Sequence, residues 1–479
     1  MNWKDEGIRR LNESLRPVPT EMNGIDWKSS LSDNSERLAK HISAFANYRG
    51  GGFLVFGIND DLTFNPLSKD DIENIVKKLS NIADNRLVCP IQIEHSVIDY
   101  EGHNLLLVYI PEQVHKPIHL RGKDMYASYW RTGGTTRLMD RRKAELLVAE
   151  SNGVSFEQQI AKSGLTEEEV LSLIFFERIY GLLEKDVPNN NAAILSKLLD
   201  LGACLYDGDS WSITNMGAIL FARNIKEFPN LVPKSIVVRK YSGNNNRNAI
   251  FEQFSTYGYA VGFHGLVDFI MANTSVEKID VVREVVPSYP RVAIRELVAN
   301  ALVHQDFTIT GIPLAIDIYA NKISITNAGE SLNDVNRLID LPPHSRNEKL
   351  AQTMHLLNLC ERRGSGIDRA VEGVERMFLP AVKVTKGEEY TKAVMYSRKP
   401  FSEMTKREKI DACYQHACLM YEEDIHIDNK SVRNRFNLGK NQTPVVSRII
   451  ADTVEAGLIK PSEEGSTSKK FATYIPYYG

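Results

Sequence analysis

The feature that most constrains the fold of this chain is a helical stretch that stops at three consecutive glycines and continues as a short apolar run. In SERLAKHISAFAN, residues 35–47, apolar side chains recur at intervals of three and four residues, the spacing of one helix face. Gly50, Gly51 and Gly52 end that helix, and the FLVFGI segment after them has the composition of a strand. The first 150 residues therefore predict a domain in which helices and strands are intermixed.

Composition bounds the classes of protein that the chain can belong to. Its 479 residues predict two to four domains, at roughly 100–200 residues per domain. Hydrophobic residues make up 43% and charged residues 25%, which excludes wholesale disorder. The net charge of -3 excludes a histone-like polycation. Five cysteines are scattered without metal-ligand spacing, so neither a disulfide framework nor a zinc ribbon is indicated.

The chain shows no signal that would direct it into or across a membrane. No apolar run approaches the roughly 18 residues that a membrane span needs. The opening MNWKDEGIRRLNESL has the pattern of a charged helix and lacks the apolar core of a signal peptide. We therefore expect a cytoplasmic location.

Four pieces can be distinguished along the chain, and together they predict an α+β multidomain protein. Residues 1–150 form the intermixed domain described above. Residues 151–285 contain a helix, a short hairpin and a helix, an order common in winged-helix modules. Residues 286–398 are the most patterned, with a helix, two strands and a glycine turn that opens another helix. Residues 399–479 predict three helices and two short strands, the order of a winged helix-turn-helix.

Two signals in the third piece suit nucleotide chemistry. Glu296, Asn300 and His304 follow one another at intervals of four, so they share one face of a helix. A carboxylate and an amide one turn apart can position a water molecule and bind a hard cation such as Mg²⁺ through oxygen. The glycine turn at residues 364–366 opens a helix, whose free N–H groups and positive dipole end suit phosphates. The alternatives are a solvated helix face and an ordinary loop.

Four ordered segments of this piece resemble the GHKL ATPase fold, and more closely the divergent GHKL-like domain of Schlafen-related bacterial regulators. The segments are YPRVAIRELVANALVHQDF, ISITNAG, SRNEKLA and ERRGSGIDR. The resemblance implies an α/β sandwich that binds ATP and Mg²⁺. It implies that Glu296 is the base that activates water and that Asn300 is the Mg²⁺ ligand. The further residues that it assigns to the nucleotide are His304, Asn327, Gly329, Arg346, Asn347, Gly364, Ser365 and Gly366.

Within that resemblance, Gly364 and Gly366 shape the phosphate lid, and Asn327 and Gly329 lie at the adenine end. Typical GHKL proteins have Asp where Asn327 stands, and the divergent family usually has Asn-Pro-Gly where this chain has Asn-Ala-Gly. An asparagine can still accept a hydrogen bond from the adenine amino group through its carbonyl oxygen. The chain contains no GxxxxGK[ST] phosphate loop, so a helicase is not supported.

The first piece resembles the Schlafen AlbA-type domain. The segments that carry the resemblance are TEMNGIDWKSS, ISAFANYRGGGFLVFGINDD and YWRTGGTTRLMDRRKAELL. Some Schlafen proteins use three clustered acids on this fold to cleave RNA, which implies Glu21, Asp26 and Asp60, with Asp61 as an alternative third acid. Three carboxylates around a divalent ion could activate water for phosphodiester cleavage. The alternative is that the first two are turn-side acids that pair with Lys28.

A basic segment with interleaved aromatic residues lies in the same piece. Residues 116–143 contain eight Lys or Arg against two Asp. That mixture suits phosphate contacts together with base stacking on a nucleic acid. The alternative is a strand with buried aromatic residues and a solvated charged face. The candidate contacts are Arg121, Lys123, Tyr126, Trp130, Arg131, Arg137 and Arg141.

The last piece carries basic residues near its expected recognition helix. Arg433, Arg435 and Arg448 are the candidate contacts to DNA there, with Lys469 and Lys470 on the wing. A winged helix can equally serve as a protein-interaction or dimerisation module.

These observations predict a protein that binds nucleic acid and is switched by ATP. The resemblance implies a transcriptional regulator or a factor associated with antiphage defence, and we expect a homo-oligomer. The first alternative is an ATP-gated, metal-dependent nuclease that uses the N-terminal acids. The second is a DNA-binding scaffold with a vestigial ATP site.

Overall fold

The chain folds into two compact units, residues 1–156 and residues 157–479, which are described separately. This computed structural model describes residues 3–15, 22–59, 61–65, 67–151, 155–279, 283–360, 366–462 and 472–479. The predicted site residues that lie outside the described residues are Glu21, Asp60, Gly364, Ser365, Lys469 and Lys470.

Unit 1 is built on a four-stranded sheet of order β1-β2-β4-β3, in which β1 and β2 are parallel and the other pairs antiparallel. Its helices are α1 (Trp3–Leu15), α2 (Ser35–Asn47), α3 (Lys69–Asn85) and α4 (Arg141–Ser151). Its strands are β1 (Ile25–Lys28), β2 (Gly52–Phe56), β3 (Glu94–Tyr100), β4 (His103–Ile110), β5 (Tyr129–Thr132) and β6 (Thr135–Leu138), the last two forming a separate hairpin. The intermixed helices and strands that the sequence predicts are confirmed.

Apolar clusters cover both faces of this sheet because side chains alternate along β2. Phe53 and Val55 pack with Leu11 of α1 on one face. Leu54 and Phe56 pack on the other face, against α2 and α3. The strand therefore has apolar residues at every position and is buried throughout.

Two of the three consecutive glycines after α2, Gly51 and Gly52, are required by the close approach of neighbouring groups. Gly51 has a φ of +69°, and a β-carbon there would lie 2.3 Å from the carbonyl oxygen of Ile110. A β-carbon on Gly52 would lie 1.8 Å from the ring of Phe45. The turn that the sequence marks as a helix stop is therefore also the place where α2 meets the sheet.

Unit 2 begins with a three-stranded sheet of order β7-β9-β8 and four helices. Its first elements are β7 (Ile160–Leu165), α5 (Glu167–Leu173), α6 (Phe176–Leu182), α7 (Asn191–Asp200), β8 (Cys204–Tyr206), β9 (Trp211–Thr214) and α8 (Asn215–Phe221). The predicted order of helix, hairpin and helix is found in α7, β8, β9 and α8.

A six-stranded sheet of order β11-β10-β14-β15-β17-β16 forms the centre of unit 2, with β10 and β14 parallel and the other pairs antiparallel. Helix α10 packs on this sheet and contacts both α9 and α12. The helices and strands of this part of unit 2 are, in chain order, β10 (Val237–Tyr241), β11 (Ala249–Phe254), α9 (Tyr259–Thr274), β12 (Val276–Ile279), β13 (Arg283–Val286), α10 (Arg291–Val303), β14 (Ala315–Ile318), β15 (Lys322–Ala328), α11 (Glu348–Leu356), α12 (Gly366–Arg376), β16 (Lys383–Lys386) and β17 (Tyr390–Tyr396). Strands β12 and β13 pair with each other in a separate two-stranded sheet.

This sheet corrects the domain boundary predicted at residue 286. Strand β10 pairs with β14 along four residues, and β11 pairs with β10. Two strands from the predicted second piece therefore belong to the same sheet as the third piece. The physical reason is that backbone hydrogen bonds join strands whose paired residues are 78 positions apart in the chain, such as Val237 and Ala315.

The end of unit 2 contains three helices followed by a two-stranded antiparallel sheet. These elements are α13 (Lys406–Tyr421), α14 (Asn429–Arg435), α15 (Thr443–Glu455), β18 (Ile459–Pro461) and β19 (Tyr474–Pro476). The apolar core that they share also contains Ala381, and Ile339 packs against it. The core therefore extends across the boundary predicted at residue 399.

Within the described residues, no helix combines the length and the apolar character needed to cross a membrane.

Asn47, the last residue of α2, is the polar centre of unit 1. Its side chain is fully buried. The amide nitrogen donates to the carbonyl oxygens of Ile118 and Tyr129, at 2.9 and 3.1 Å, and the amide oxygen accepts from the N–H of Ile118 at 2.7 Å. One side chain thus satisfies three backbone groups, two on Ile118 and one on Tyr129 at the start of β5.

We expect Asn47→Ala to lower the free energy of unfolding of unit 1 by about 3 kcal/mol, because it leaves these buried backbone groups without partners. Urea titration followed by tryptophan fluorescence measures this, since Trp3, Trp27 and Trp130 all lie in unit 1. Asn85→Ala, which removes an exposed hydrogen bond to Asn81, is the matched control and should change the value by less than about 0.5 kcal/mol. Equal effects of the two substitutions would contradict the role of Asn47.

Candidate functional site

A cavity of about 1110 Å³ lies beside α10 in unit 2. Its walls come from α10, from the sheet strands β15 and β17, from the 331–346 segment, and from α11 and α12. The predicted nucleotide residues among the lining residues are Glu296, Asn300, His304, Asn327, Arg346 and Gly366. The structure therefore brings together residues that lie up to 70 positions apart in the sequence.

Gly366, at the start of α12, lies against the predicted catalytic face of α10. A β-carbon on Gly366 would lie 3.0 Å from Oε2 of Glu296. It would lie 3.8 and 3.9 Å from the amide nitrogen and oxygen of Asn300. The predicted helix face and Gly366, the last residue of the predicted glycine turn, therefore meet at one point of the cavity wall.

Glu296 is a buried carboxylate at this point. Its side chain is 1% exposed, and Nη1 of Arg295 lies 3.3 Å from its Oε1. Together, the Glu296 carboxylate and the Asn300 amide present oxygen atoms at the cavity wall, the donor type that Mg²⁺ prefers. The residues present therefore fit a magnesium ion that arrives with a nucleotide.

His304 lies at the carboxyl end of α10 and caps it through its N–H to the carbonyl of Asn300. Burial, followed by the positive charge of Arg346, lowers the pKa of His304. The imidazole is therefore neutral at pH 7 and offers hydrogen bonding without charge. Arg346 donates to the carbonyl of Glu330 at 2.6 Å and brings its charge to the same wall.

The predicted adenine end is built by β15 and the residues after it. Asn327 lines the cavity, and its amide nitrogen donates to the carbonyl of Ala328 at 3.1 Å. Gly329 has a φ of +98°, and a β-carbon there would lie 2.7 Å from Cβ of Asp306. Gly329 is not among the lining residues, so it shapes the wall through a close backbone approach.

Asn347 does not line the cavity, but it joins two of the helices that form its wall. Its amide nitrogen donates to the carbonyls of Val303 and Gln305, at 2.8 and 2.7 Å. These hydrogen bonds tie the start of α11 to the end of α10. Asn347 is the N-cap residue of α11 by position, but its side chain makes no capping hydrogen bond.

The cap of α11 comes from Glu157, which sequence reasoning missed. Glu157 is 5% exposed, and its carboxylate accepts from the N–H of Leu350 at 2.6 Å. An acid at the first turn of a helix satisfies free N–H groups and interacts favourably with the dipole. The two residues are 193 positions apart, and no local pattern links them, so the sequence carries no signal for this cap.

Asp26, a predicted nuclease acid of unit 1, is buried among cationic and polar groups. Its Oδ1 lies 2.7 Å from Nζ of Lys28, which agrees with the alternative that it pairs with that lysine. Its Oδ2 lies 3.2 Å from Nδ1 of His41 and 3.6 Å from Nη1 of Arg131. Across the described residues, no group of three or more His, Cys, Asp or Glu side chains could hold a metal ion.

Arg131 is corrected as a nucleic-acid contact. Its side chain is 1% exposed and lies with its guanidinium 4.9 Å from the ring centroid of Phe45. The guanidinium donates to the backbone carbonyls of Met22, Asn23 and Ile25. Since these carbonyls precede and begin β1, Arg131 stabilises the fold of unit 1 instead of facing a ligand.

The other predicted basic contacts of the segment lie at the protein surface. Arg121, Lys123, Arg137 and Arg141 are exposed. We call these four residues, together with Tyr126 and Trp130, the basic surface of unit 1.

Cations also lie over the two aromatic rings of the basic surface. The guanidinium of Arg141 lies 4.9 Å from the ring centroid of Tyr126, and Nζ of Lys143 lies 3.6 Å from that of Trp130. Both rings are half-buried, so they are neither fully exposed for stacking on bases nor fully buried beneath a charged face.

The three predicted DNA contacts in the last helices differ in how exposed their side chains are. Arg448 is exposed on α15, and Arg433 is half-buried on α14, where its Nε donates to Asn429. Arg435 is corrected, because its side chain is 2% exposed and its Nε lies 3.0 Å from Oε1 of Glu375. A guanidinium held in this way inside the protein has no surface to offer to DNA.

We expect the imidazole of His41 to stay neutral far into the acid range. Burial, which outweighs the attraction of Asp26, lowers its pKa to about 4. Because the unfolded chain protonates this group near pH 6.5, unit 1 should lose stability as the pH falls from about 6.5 to about 4. NMR titration of the histidine side chains measures this pKa, and His41→Gln identifies the signal by its loss. A midpoint near pH 6.5 would contradict the buried, neutral imidazole.

Two family models match parts of the chain. Residues 21–140 match the model described as "Schlafen, AlbA_2", and residues 311–395 match the model described as "Putative ATP-dependent DNA helicase recG C-terminal", of the HATPase type. The predicted resemblances are confirmed for these two domains. The second match begins after α10, so Glu296 and Asn300 lie outside it.

Two solved structures are also similar to the chain. The DIP2311 protein from Corynebacterium diphtheriae is 14% identical with a TM-score of 0.41, and the alignment covers 99% of this chain and 84% of that one. The N-terminal domain of a "Putative ATP-dependent DNA Helicase RecG-related Protein" from Nitrosomonas europaea is 23% identical with a TM-score of 0.21, covering 28% of this chain and 92% of that one. The search of curated proteins found no match. The chain thus carries a Schlafen AlbA_2 domain and a RecG-like C-terminal domain of the HATPase type.

Proposed function

We propose that this chain is a regulatory protein that binds nucleic acid and whose binding is gated by Mg–ATP in the cavity beside α10. The observation that carries the proposal is the contact of Gly366 with Glu296 and Asn300. It places the beginning of a helix, a buried carboxylate and an amide at one wall of a cavity large enough for a nucleotide. The HATPase-type match over residues 311–395 supports the same class of ligand.

The nucleotide phosphates would lie near the start of α12, where helix N–H groups and the positive dipole end favour anions. Asn300 would hold Mg²⁺ through its amide oxygen, and when bound this ion offsets the charge of the phosphate oxygens. Glu296 would take the proton of the attacking water if ATP is hydrolysed. Asn327 would accept a hydrogen bond from the base at the other end of the cavity.

Nucleic acid would be held by the basic surface of unit 1 and by the helices at the end of unit 2. Exposed Lys and Arg side chains suit phosphates, and half-buried aromatic rings suit stacked bases. The α13–α15 helices and the β18–β19 pair follow the order of a winged helix-turn-helix, so we propose that they form one and that Arg433 and Arg448 contact DNA. A role in transcription or in antiphage defence, and a homo-oligomeric state measurable by light scattering, are parts of the same proposal.

The surroundings of Asp26 favour this function over the nuclease. The carboxylate is 1% exposed and is already paired with Lys28 and close to Arg131. A carboxylate between two cations binds a metal ion poorly, because the cations compete for its charge. We therefore place the function of unit 1 in binding.

The ATP site is tested by isothermal titration calorimetry with Mg–ATP on the full chain. We expect wild type to bind with a Kd of about 1–100 μM, which is about 5–8 kcal/mol of binding free energy. Asn300→Ala should weaken this affinity at least about tenfold, since it removes the amide that would hold the ion. Asn245→Ala, in an exposed loop far along the chain, is the matched control and should bind as wild type does.

Absence of binding by wild type would overturn the ATP site, and equal affinities of wild type and Asn300→Ala would overturn the role of Asn300. Glu296→Gln in the same titrations separates binding from hydrolysis. It should bind Mg–ATP as wild type does and release phosphate at least about tenfold more slowly, the loss typical of a missing general base. A wild type that binds without releasing phosphate would instead identify a non-hydrolysing switch.

The basic surface is tested by the salt dependence of DNA binding. Lys123→Gln combined with Arg137→Gln should weaken binding of a fluorescein-labelled duplex and reduce the slope of log K against log salt by about 2, since each phosphate contact contributes about 0.9. Fluorescence anisotropy over a range of potassium chloride concentrations measures the slope. Lys69→Gln, at a side chain that is 88% exposed on α3, is the control. An unchanged slope in the double variant would remove these residues from the interface.

A further inference from the structure

Helix α12 connects the candidate nucleotide cavity to the helices at the end of unit 2. Its first described residue, Gly366, lies against Glu296 and Asn300, as shown above. Its carboxyl-terminal turn carries Glu375, about 14 Å further along the helix axis at 1.5 Å per residue. Helix α12 packs on α10 at the cavity and on α13 beyond it. One helix therefore contacts both the wall of the candidate nucleotide cavity and the helices at the end of unit 2.

At its far end, α12 is held by a buried cluster of three ionisable side chains from three helices. Oε1 of Glu375 lies 3.0 Å from Nε of Arg435, on α14. Oε2 of Glu375 lies 3.0 Å from Nδ1 of His416, on α13. The side chains of Arg435, His416 and Glu375 are 2%, 9% and 13% exposed. We call these three residues the Glu375 cluster.

The Glu375 cluster fixes the position of α14 relative to α12 more strictly than apolar packing would. The guanidinium of Arg435 also donates through Nη2 to the carbonyl of Leu379 at 2.8 Å, so its plane is held from two sides. Apolar surfaces can slide over one another, whereas a buried guanidinium that loses its carboxylate is left as an uncompensated charge. Arg435 must therefore move together with Glu375.

The other end of α12 has free space on both sides. Ile367, one residue after Gly366, lines the large cavity and also a second cavity of about 450 Å³. The second cavity lies between α12, α13 and the segment that contains Asn336. Because interiors are otherwise closely packed, a helix with space beside one end and a buried ion cluster at the other can tilt about the held end.

We propose that α12 is the lever that couples nucleotide binding to nucleic-acid binding, and that the Glu375 cluster is the joint through which it moves α14. This inference rests on the proposed function above. A nucleotide in the large cavity displaces the Gly366 end of α12, and the Glu375 cluster transmits that displacement to α14 and α13. Glu375 is thus a positioning residue that touches neither ligand.

The test compares coupling, not affinity. Fluorescence anisotropy on the full chain gives the Kd for a labelled DNA duplex with Mg²⁺ alone and with Mg²⁺ plus ATP. For wild type we expect the two values to differ about fivefold or more, the usual lower range for coupled sites. In Glu375→Gln the ratio should fall to within about twofold of one. Its Kd for ATP without DNA, and for DNA without ATP, should stay within about threefold of wild type.

The matched control is Glu372→Gln, on the same helix. Glu372 pairs with Arg376, one turn further along the same helix, at the protein surface. Its substitution removes one carboxylate charge from α12 without touching the Glu375 cluster, so it should keep the wild-type ratio. Loss of coupling in both variants would contradict the role of the Glu375 cluster and would assign the effect to the net charge of α12.

A second measurement does not depend on any variant folding. Hydrogen exchange of wild type, without DNA, should show that Mg–ATP changes the exchange of the amides of α14, residues 429–435. Unchanged exchange there, with ATP bound, would overturn the lever while leaving the proposed function intact. A wild type that binds no ATP at all would overturn the proposed function itself.

Discussion

The candidate site depends on the close approach of α12 to α10, and that approach depends on a missing side chain. Gly366 lies where a β-carbon would stand 3.0 Å from the carboxylate of Glu296. Any larger residue would move either the carboxylate or the start of α12, and so would change the wall of the large cavity. The chemistry of Glu296 and Asn300 is therefore set as much by the absence of an atom as by the groups present.

Local patterns in the sequence predicted the helices and strands well, because the residues that form a helix face, or that end a helix, lie within a few positions of each other. The helix that carries Glu296 and Asn300 on one face is found, and so is the helix that the sequence places at Gly366. The boundary at residue 286 is wrong because β10 pairs with β14 across a long stretch of chain. Such pairing is decided by the whole sheet, and a single sequence carries little trace of it.

Charged residues were the least predictable part of the site. Arg131 and Arg435 look like surface cations in the sequence, yet both are buried, one against backbone carbonyls and the other against Glu375. A basic residue in a basic segment gives no sign of the direction in which it points. The cap of α11 was missed for a related reason, since Glu157 lies 193 residues before its partner Leu350.

The position of Glu157 bears on how this protein can be divided. It is the first residue of unit 2, and unit 1 ends at residue 156. Its carboxylate nevertheless completes a helix in the wall of the large cavity. A fragment of unit 2 cut even one residue too late would keep every cavity-lining side chain and lose the acceptor that holds α11. The starting residue of such a fragment therefore decides whether the α11 wall of the cavity keeps its helix cap.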